Sequence, residues 1–274
     1  MLGLGVWQMA AGAETEQAVE WALESGYRHI DTASMYRNEQ SVGAAIGRSG
    51  LPREQLFVTT KLLPPRPSAA KELERSLERL RLEYVDLYLI HWPLPLWAAR
   101  AWRQMESLRQ RGLARAIGVS NVGLNGLETL IRTSAHPPAV NQVQFSPFRY
   151  RRRLLEYCLR REIVFEAYSP LERGRGLTHP TITALAERIG RTPAQVMLRW
   201  AIQHKTVVIP KSSRKERIRS NAQVFDFELA EADMAVLDAL DRTNGTARAR
   251  GYTSRARPGE TGRKCRARPP GRKR

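Results

Sequence analysis

Cysteine is nearly missing from this chain. Only Cys158 and Cys265 occur in 274 residues, too few for a disulfide framework, and Cys158 falls in the helical run LLEYCLR, where it reads as core packing. The implied compartment is reducing. Long apolar runs are missing too. None approaches the ~20 residues a membrane span requires, and no basic-then-apolar leader precedes the opening LGLGVW. The expectation is a soluble, cytoplasmic protein with no membrane partner. Acidic residues are scarce at one end. Residues 248–274 hold eleven Lys and Arg against one acid, Glu260, so +10 of the net +18 sits there and +8 is left for the rest. That stretch has Pro, Gly and Arg without periodicity, which predicts a disordered basic tail over 247–274 beside a single domain over 1–246. Tyr252 is the tail's only aromatic, which leaves one side chain for base stacking if the tail is read as a nucleic-acid-binding element. Non-specific attraction to polyanions is what the clustered charge predicts, with no specific nucleic-acid partner. A phosphate-binding glycine fingerprint is the last absence. Gly3-x-Gly5 has no third glycine at Gln8, which counts against a doubly wound dinucleotide fold.

What the chain does have is rhythm. Apolar strand-like runs begin near residues 2, 28, 56, 84, 114, 138, 163 and 206, and amphipathic helical runs follow them. Helices are predicted over 15–24, 40–48, 69–80, 98–110, 124–133, 151–161, 181–203, 214–221 and 229–240. Eight β/α units in about 245 residues predict an α/β fold of (β/α)₈ TIM-barrel type, in which chemistry gathers at the C-terminal ends of the strands.

Ionisable residues stand at those ends. The stretch GYRHIDTASMYRNE sets Asp31 and Tyr36 just past the second strand, Lys61 ends the third and His91 ends the fourth. Four ionisable types on three consecutive strands point to a site rather than to packing. A free phenol titrates near pH 10, so acting as an acid at neutral pH calls for help. Lys61 is expected to lower the pKa of Tyr36, with Asp31 holding the buried ammonium and a neutral His91 orienting a carbonyl oxygen. No side chain is a hydride source, so a reductase built this way needs a reduced cofactor. After the eighth strand, IPKSSRKERIRSN offers Ser212 and Ser213 as helix caps and Lys and Arg as clamps for a 2′-phosphate, which favours NADPH over NADH.

Taken in order, LGLGVW, GYRHIDTASMYRNE, VTTK, LYLIHWP, AIGVSN, NQVQFSP, AYSPL and IPKSSRKERIRSN make the chain resemble the aldo-keto reductases, in particular bacterial-type NADPH-dependent members such as the 2,5-diketo-D-gluconate reductases. The resemblance implies a catalytic tetrad of Asp31, Tyr36, Lys61 and His91, with Tyr36 the general acid. It implies that Ser120, Asn121 and Gln142 hold the nicotinamide carboxamide, that Tyr168 stacks on its ring, and that Ser169 and Leu171 line the pyrophosphate path. Lys211, Ser212 and Arg217 would hold the phosphate of NADPH (NADP+) and Asn221 would touch the adenine. Trp7, Met35, Leu63 and Trp92 would wall a pocket for a small-molecule carbonyl substrate, in a monomer with no metal.

The chain also departs from the resemblance. Relatives carry a β-hairpin before the first strand, and here the sequence starts at the strand. Gln144 and Ser220 stand where relatives usually have Glu. The segment after Tyr168 is short, so any loop over the cofactor is expected to be reduced, and the Arg-rich tail replaces the C-terminal loop. Two other readings follow: a cofactor-binding regulatory subunit with little turnover, or a truncated, poorly active family member.

Overall fold

Strands buried on both faces read as continuous apolar runs, and VDLYLI is the clearest: all six of its residues are buried. A computed structural model of the chain describes residues 1–92 and 95–243; the basic tail read from residue 247 lies outside them. Its strands are β1 Gly3–Gly5, β2 His29–Asp31, β3 Phe57–Leu62, β4 Val85–Ile90, β5 Ala114–Ser120, β6 Val140–Gln144, β7 Val164–Tyr168 and β8 Val207–Ile209. They pair in chain order and in parallel. A parallel bridge between Leu2 and Val208 brings the last strand to the first, so the sheet is a (β/α)₈ barrel.

The helices follow the strands as expected: α1 Ala13–Glu24, α2 Glu39–Arg48, α3 Ala69–Leu80, α4 Pro95–Gln110, α5 Leu124–Thr133, α6 Arg152–Arg160, α7 Pro180–Ile189, α8 Pro193–Gln203, α9 Lys215–Ala222 and α10 Glu231–Asp238. The α3 helix shows why. Ser68 accepts a hydrogen bond from the Lys71 amide at its start, Leu73, Leu77 and Leu80 are buried on one face, and Arg81 ends it in the left-handed region. One boundary differs from the sequence reading. The predicted helix over 181–203 is two helices, because Gly190 takes a φ of 67° and closes α7. Thr192 and Gln195 then form a capping box with Pro193 in the first turn, which starts α8 afresh.

The barrel interior is set by parity. In a strand alternate residues share a face, and the registers Gly5↔Asp31, Asp31↔Thr59, Ser120↔Gln142 and Gln142↔Glu166 place those residues on one face of the sheet. That face is the inside, since Gln142 on β6 bonds directly to Asp31 on β2 across the barrel. Lys61, Leu89, Gln144 and Tyr168 share it by the same two-residue count. Leu87, Leu89 and Val140 form a small apolar cluster of their own. The large core lies between the outer faces of the strands and the helices, with Tyr88, Ile90, Trp102 and Trp200 among its members.

Candidate active site

The β2, β3 and β4 strands deliver Asp31, Lys61 and His91 to one end of the barrel, and a 3₁₀ turn, Ser34–Tyr36, carries Tyr36 over them. Lys61 is 0% exposed. Its ammonium donates to Asp31 Oδ1 at 2.6 Å and to the Thr32 carbonyl at 2.8 Å, and it stands 3.5 Å from Tyr36 Oη. The His91 and Tyr36 rings meet edge to face, centroids 5.6 Å apart. Burial, reinforced by the Lys61 charge, pushes the His91 pKa down to about 3. The ring is therefore a neutral imidazole at physiological pH, as the sequence reading expected.

Tyr36 behaves otherwise than expected. Its pKa is raised well above the ordinary phenol value, first by burial and then by the charges of Asp31, Tyr168 and Glu166. The Lys61 ammonium, 3.5 Å from the phenol, is paired at 2.6 Å with the Asp31 carboxylate, whose charge works in the opposite sense.

A residue the sequence reading passed over joins the group. Glu166, on β7, accepts a hydrogen bond from Gln142 Nε2 at 2.8 Å, and the same nitrogen donates to Asp31 Oδ2 at 2.8 Å. Burial, helped by the Asp31 charge, raises the Glu166 pKa to about 8. Asp31 is raised by burial too, but there Lys61 opposes the shift by its charge and by a direct hydrogen bond, whereas at Glu166 it opposes by charge alone. Of the two carboxyls, Glu166 thus has the stronger reason to hold a proton. Parity would have found it: Glu166 lies two residues before Tyr168 on the same strand. His29, Asp31 and Glu166 bring ligand atoms within 4.8 Å of one another. Within it the Lys61 ammonium pairs with Asp31.

This geometry has relatives. Residues 1–242 match the Aldo/keto reductase family. The glyoxal reductase of Bacillus subtilis (strain 168) is 45% identical over 243 residues, 88% of each chain. Among solved structures, an aldo-keto reductase from a Medee basin deep-sea metagenome library is 41% identical, with a TM-score of 0.84 over 88% of this chain and 90% of that one. The Bombyx mori aldo-keto reductase, solved in complex with NADP, is 36% identical with a TM-score of 0.81 over 88% of each chain. The chain belongs to the aldo/keto reductase family. It is an oxidoreductase of carbonyl and alcohol groups, and nicotinamide cofactors are the ones its family uses.

In this aldo-keto reductase the residues expected around such a cofactor fall on or after β5 through β8, as far as α9. Ser120 and Gln142 are register partners. Asn121 donates to Ser120 Oγ at 2.9 Å and accepts from Tyr168 Oη at 2.8 Å. Gln142 gives its nitrogen to the two carboxyls. Ser169 (φ 49°) and Leu171 sit just past β7. Asn221 is buried on α9 and Arg217 is exposed beside it. No hydrogen bond or ion pair engages the Arg217 side chain among the described residues.

Lys211 lies two residues beyond the end of β8, and its ammonium is 3.8 Å from Glu14 Oε1. One detail here corrects the sequence reading. Neither serine caps α9, whose N-cap is Arg214 with no side-chain cap; instead Ser212 Oγ accepts from the Arg214 amide at 3.2 Å and stiffens the turn. The segment after β7 is short, as expected. It winds into a 3₁₀ turn, Glu172–Thr178, and sets the Arg173 guanidinium 4.7 Å from the Trp7 ring centroid.

The proposed pocket residues follow β1 to β4 in turn. Trp7 is partly covered by Arg173, Met35 is 40% exposed, Leu63 is partly buried, and Trp92 stacks on His91 with centroids 6.3 Å apart. A separate concavity at the opposite end of the barrel is lined by Met1, Tyr27, Phe57 and Phe225. It lies where relatives were expected to place a hairpin and holds none of the tetrad.

Proposed function

We propose that this protein reduces aldehydes and ketones to alcohols with NADPH, and that Tyr36 donates the proton. The observation that carries this is the Lys61 ammonium set between Asp31 Oδ1 and Tyr36 Oη, with the His91 ring against the phenol. NADPH, when bound, supplies a hydride to the carbonyl carbon. A neutral His91 donates a hydrogen bond to the carbonyl oxygen and aims it at Tyr36. As negative charge grows on that oxygen it becomes a stronger base than a phenolate, so even a phenol with a raised pKa transfers its proton downhill. The phenolate left behind faces Lys61, and Asp31 and the Thr32 carbonyl keep that ammonium in place.

The donor set suits the cofactor. Ser120, Asn121 and the Gln142 carbonyl offer a carboxamide both donors and acceptors, and the Tyr168 ring, tethered to Asn121, offers a flat face. Lys211, Ser212 and Arg217 would take the 2′-phosphate, the contact that separates NADPH from NADH. Trp7, Met35, Leu63 and Trp92 give the substrate an apolar surround. The complex of the Bombyx mori relative with NADP supports the same choice.

The decisive test is Tyr36→Phe. Its carbonyl reduction should fall by ~10²–10⁴-fold while NADPH binding, followed by fluorescence titration, stays nearly unchanged. Turnover within a few-fold of the parent on an unactivated aldehyde would remove Tyr36 as the acid.

A further inference from the structure

Glu166 takes part in none of the steps above, yet it is 2% exposed and three hydrogen bonds from the ammonium that serves Tyr36. We propose that Glu166 is a positioning residue for the reaction: through Gln142 it holds Asp31 turned toward Lys61, and by keeping a proton it leaves the barrel interior with one carboxylate anion instead of two. This inference rests on Tyr36 being the proton donor.

The geometry makes the case before any titration is considered. Gln142 Nε2 has two N–H bonds, and both are used, one on Asp31 Oδ2 and one on Glu166 Oε1, each at 2.8 Å. The amide therefore ties β2 to β7 across the barrel. It leaves Asp31 Oδ1 to the ammonium alone, at 2.6 Å. Remove the Glu166 end and the Gln142 side chain is free to turn, so the second oxygen of Asp31 loses its fixed donor.

Charge balance gives the proton its reason. The groups facing Glu166 are Asp31 and His29 from β2, Tyr36 from the turn after it, Lys61 from β3, Gln142 from β6 and Tyr168 from its own strand. His29 is neutral, its pKa pushed down to about 3 by burial and then by Lys61. One ammonium balances one carboxylate, so a second buried anion would stand uncompensated. Its pKa near 8 puts the loss of the Glu166 proton just above neutral. The new charge would repel the developing phenolate of Tyr36 and weaken it as an acid. Reduction should then slow as pH rises through that range.

Two variants and one spectroscopic titration test this. In Glu166→Gln the side-chain oxygen still accepts from Gln142 but carries no ionisable proton, so the alkaline fall in kcat near pH 8 should disappear. Glu166→Leu keeps the bulk and loses the acceptor. Its kcat should drop about tenfold or more with little change in KM, and Gln at this position should restore most of the loss. Infrared difference spectra of the unmutated protein without cofactor should show a protonated-carboxyl band that bleaches between about pH 6.5 and 9.5 and is absent from Glu166→Gln. In the unmutated protein that readout needs no turnover. An unmutated protein with no titrating carboxyl band in this window overturns the proposal, as does a Gln variant whose pH profile superimposes on the parent. A Leu variant with full turnover at pH 7 overturns the positioning role. Tyr36→Phe measured alongside separates the two levels: if it stays active the reading of the site fails, and if it is inactive while the Glu166 outcomes are negative, only this inference fails.

Discussion

Gly43 and Leu80 meet with no room between their backbones. A methyl group built on Gly43 would stand 2.2 Å from the Leu80 carbonyl oxygen, so α2 rides on the C-terminal end of α3 at a separation that only glycine allows. Gly43→Ala forces the two helices apart. It should lower the unfolding free energy by about 1–3 kcal/mol, read from the denaturant midpoint, with turnover per folded molecule little changed because neither helix carries a tetrad residue. An alanine variant with the parent midpoint would show that the helices shift without cost.

Arg217 is the charge to remove when asking how the cofactor is chosen. Arg217→Ala should weaken NADPH binding by about 1.5–3 kcal/mol, the usual worth of a charged hydrogen bond, and NADH binding far less. Fluorescence titrations with both cofactors decide it. Equal losses would mean that Arg217 acts on something shared by the two, not on the 2′-phosphate.

Acid should destabilise the barrel through its buried imidazoles. His29 and His91 both have folded-state values near 3 against an ordinary 6.5, so below pH 6.5 the unfolded chain takes up protons that the folded one refuses. The stability they contribute is complete above pH 6.5 and is lost as pH falls toward 3. Glu166 works in the opposite sense, its raised value making stability fall as pH rises from about 4.5 to about 8. The clean measurement is therefore a difference: the melting temperature of the parent minus that of His91→Gln, from pH 7 down to 4. The gap should narrow on acidification, and a constant gap would place a charged imidazole in the folded barrel.

Much of this was legible in the sequence, for physical reasons that can be named. Strands buried on both faces announce themselves as apolar runs, so their starts were found within two residues, as at Val140 read from 138. Asp31, Lys61 and His91 stood out because each ends such a run. Glu166 did not, since it lies inside IVFEAYSP and only its parity with Tyr168 marks it as inward. The direction of the Tyr36 shift was hidden for another reason. It depends on which acceptor holds the Lys61 ammonium, and distances of 2.6 and 3.5 Å are set by tertiary packing, not by spacing along the chain. Gly190 and the Thr192-Pro193 pair were in plain view as a helix break; the apolar periodicity on either side masked them.

The +10 of residues 248–274 gives a prediction that needs only charge. A protein ending at residue 246 should lose most of its retention on heparin at low salt, whereas the full chain should bind and elute steeply as salt releases counterions. Michaelis constants for carbonyl substrates should match between the two. A several-fold rise on truncation would mean that this segment helps to build the substrate pocket.

Arg173 over Trp7 joins the segment after β7 to the one after β1 at the mouth of the barrel. A cation–π contact at an exposed site is worth about 0.5–1 kcal/mol. Such a latch slows entry or exit by no more than about fivefold, since a tenfold change in rate takes about 1.4 kcal/mol. A dinucleotide bound as proposed would meet a turnstile there, not a locked door, and its residence would be governed by the grip on its phosphates.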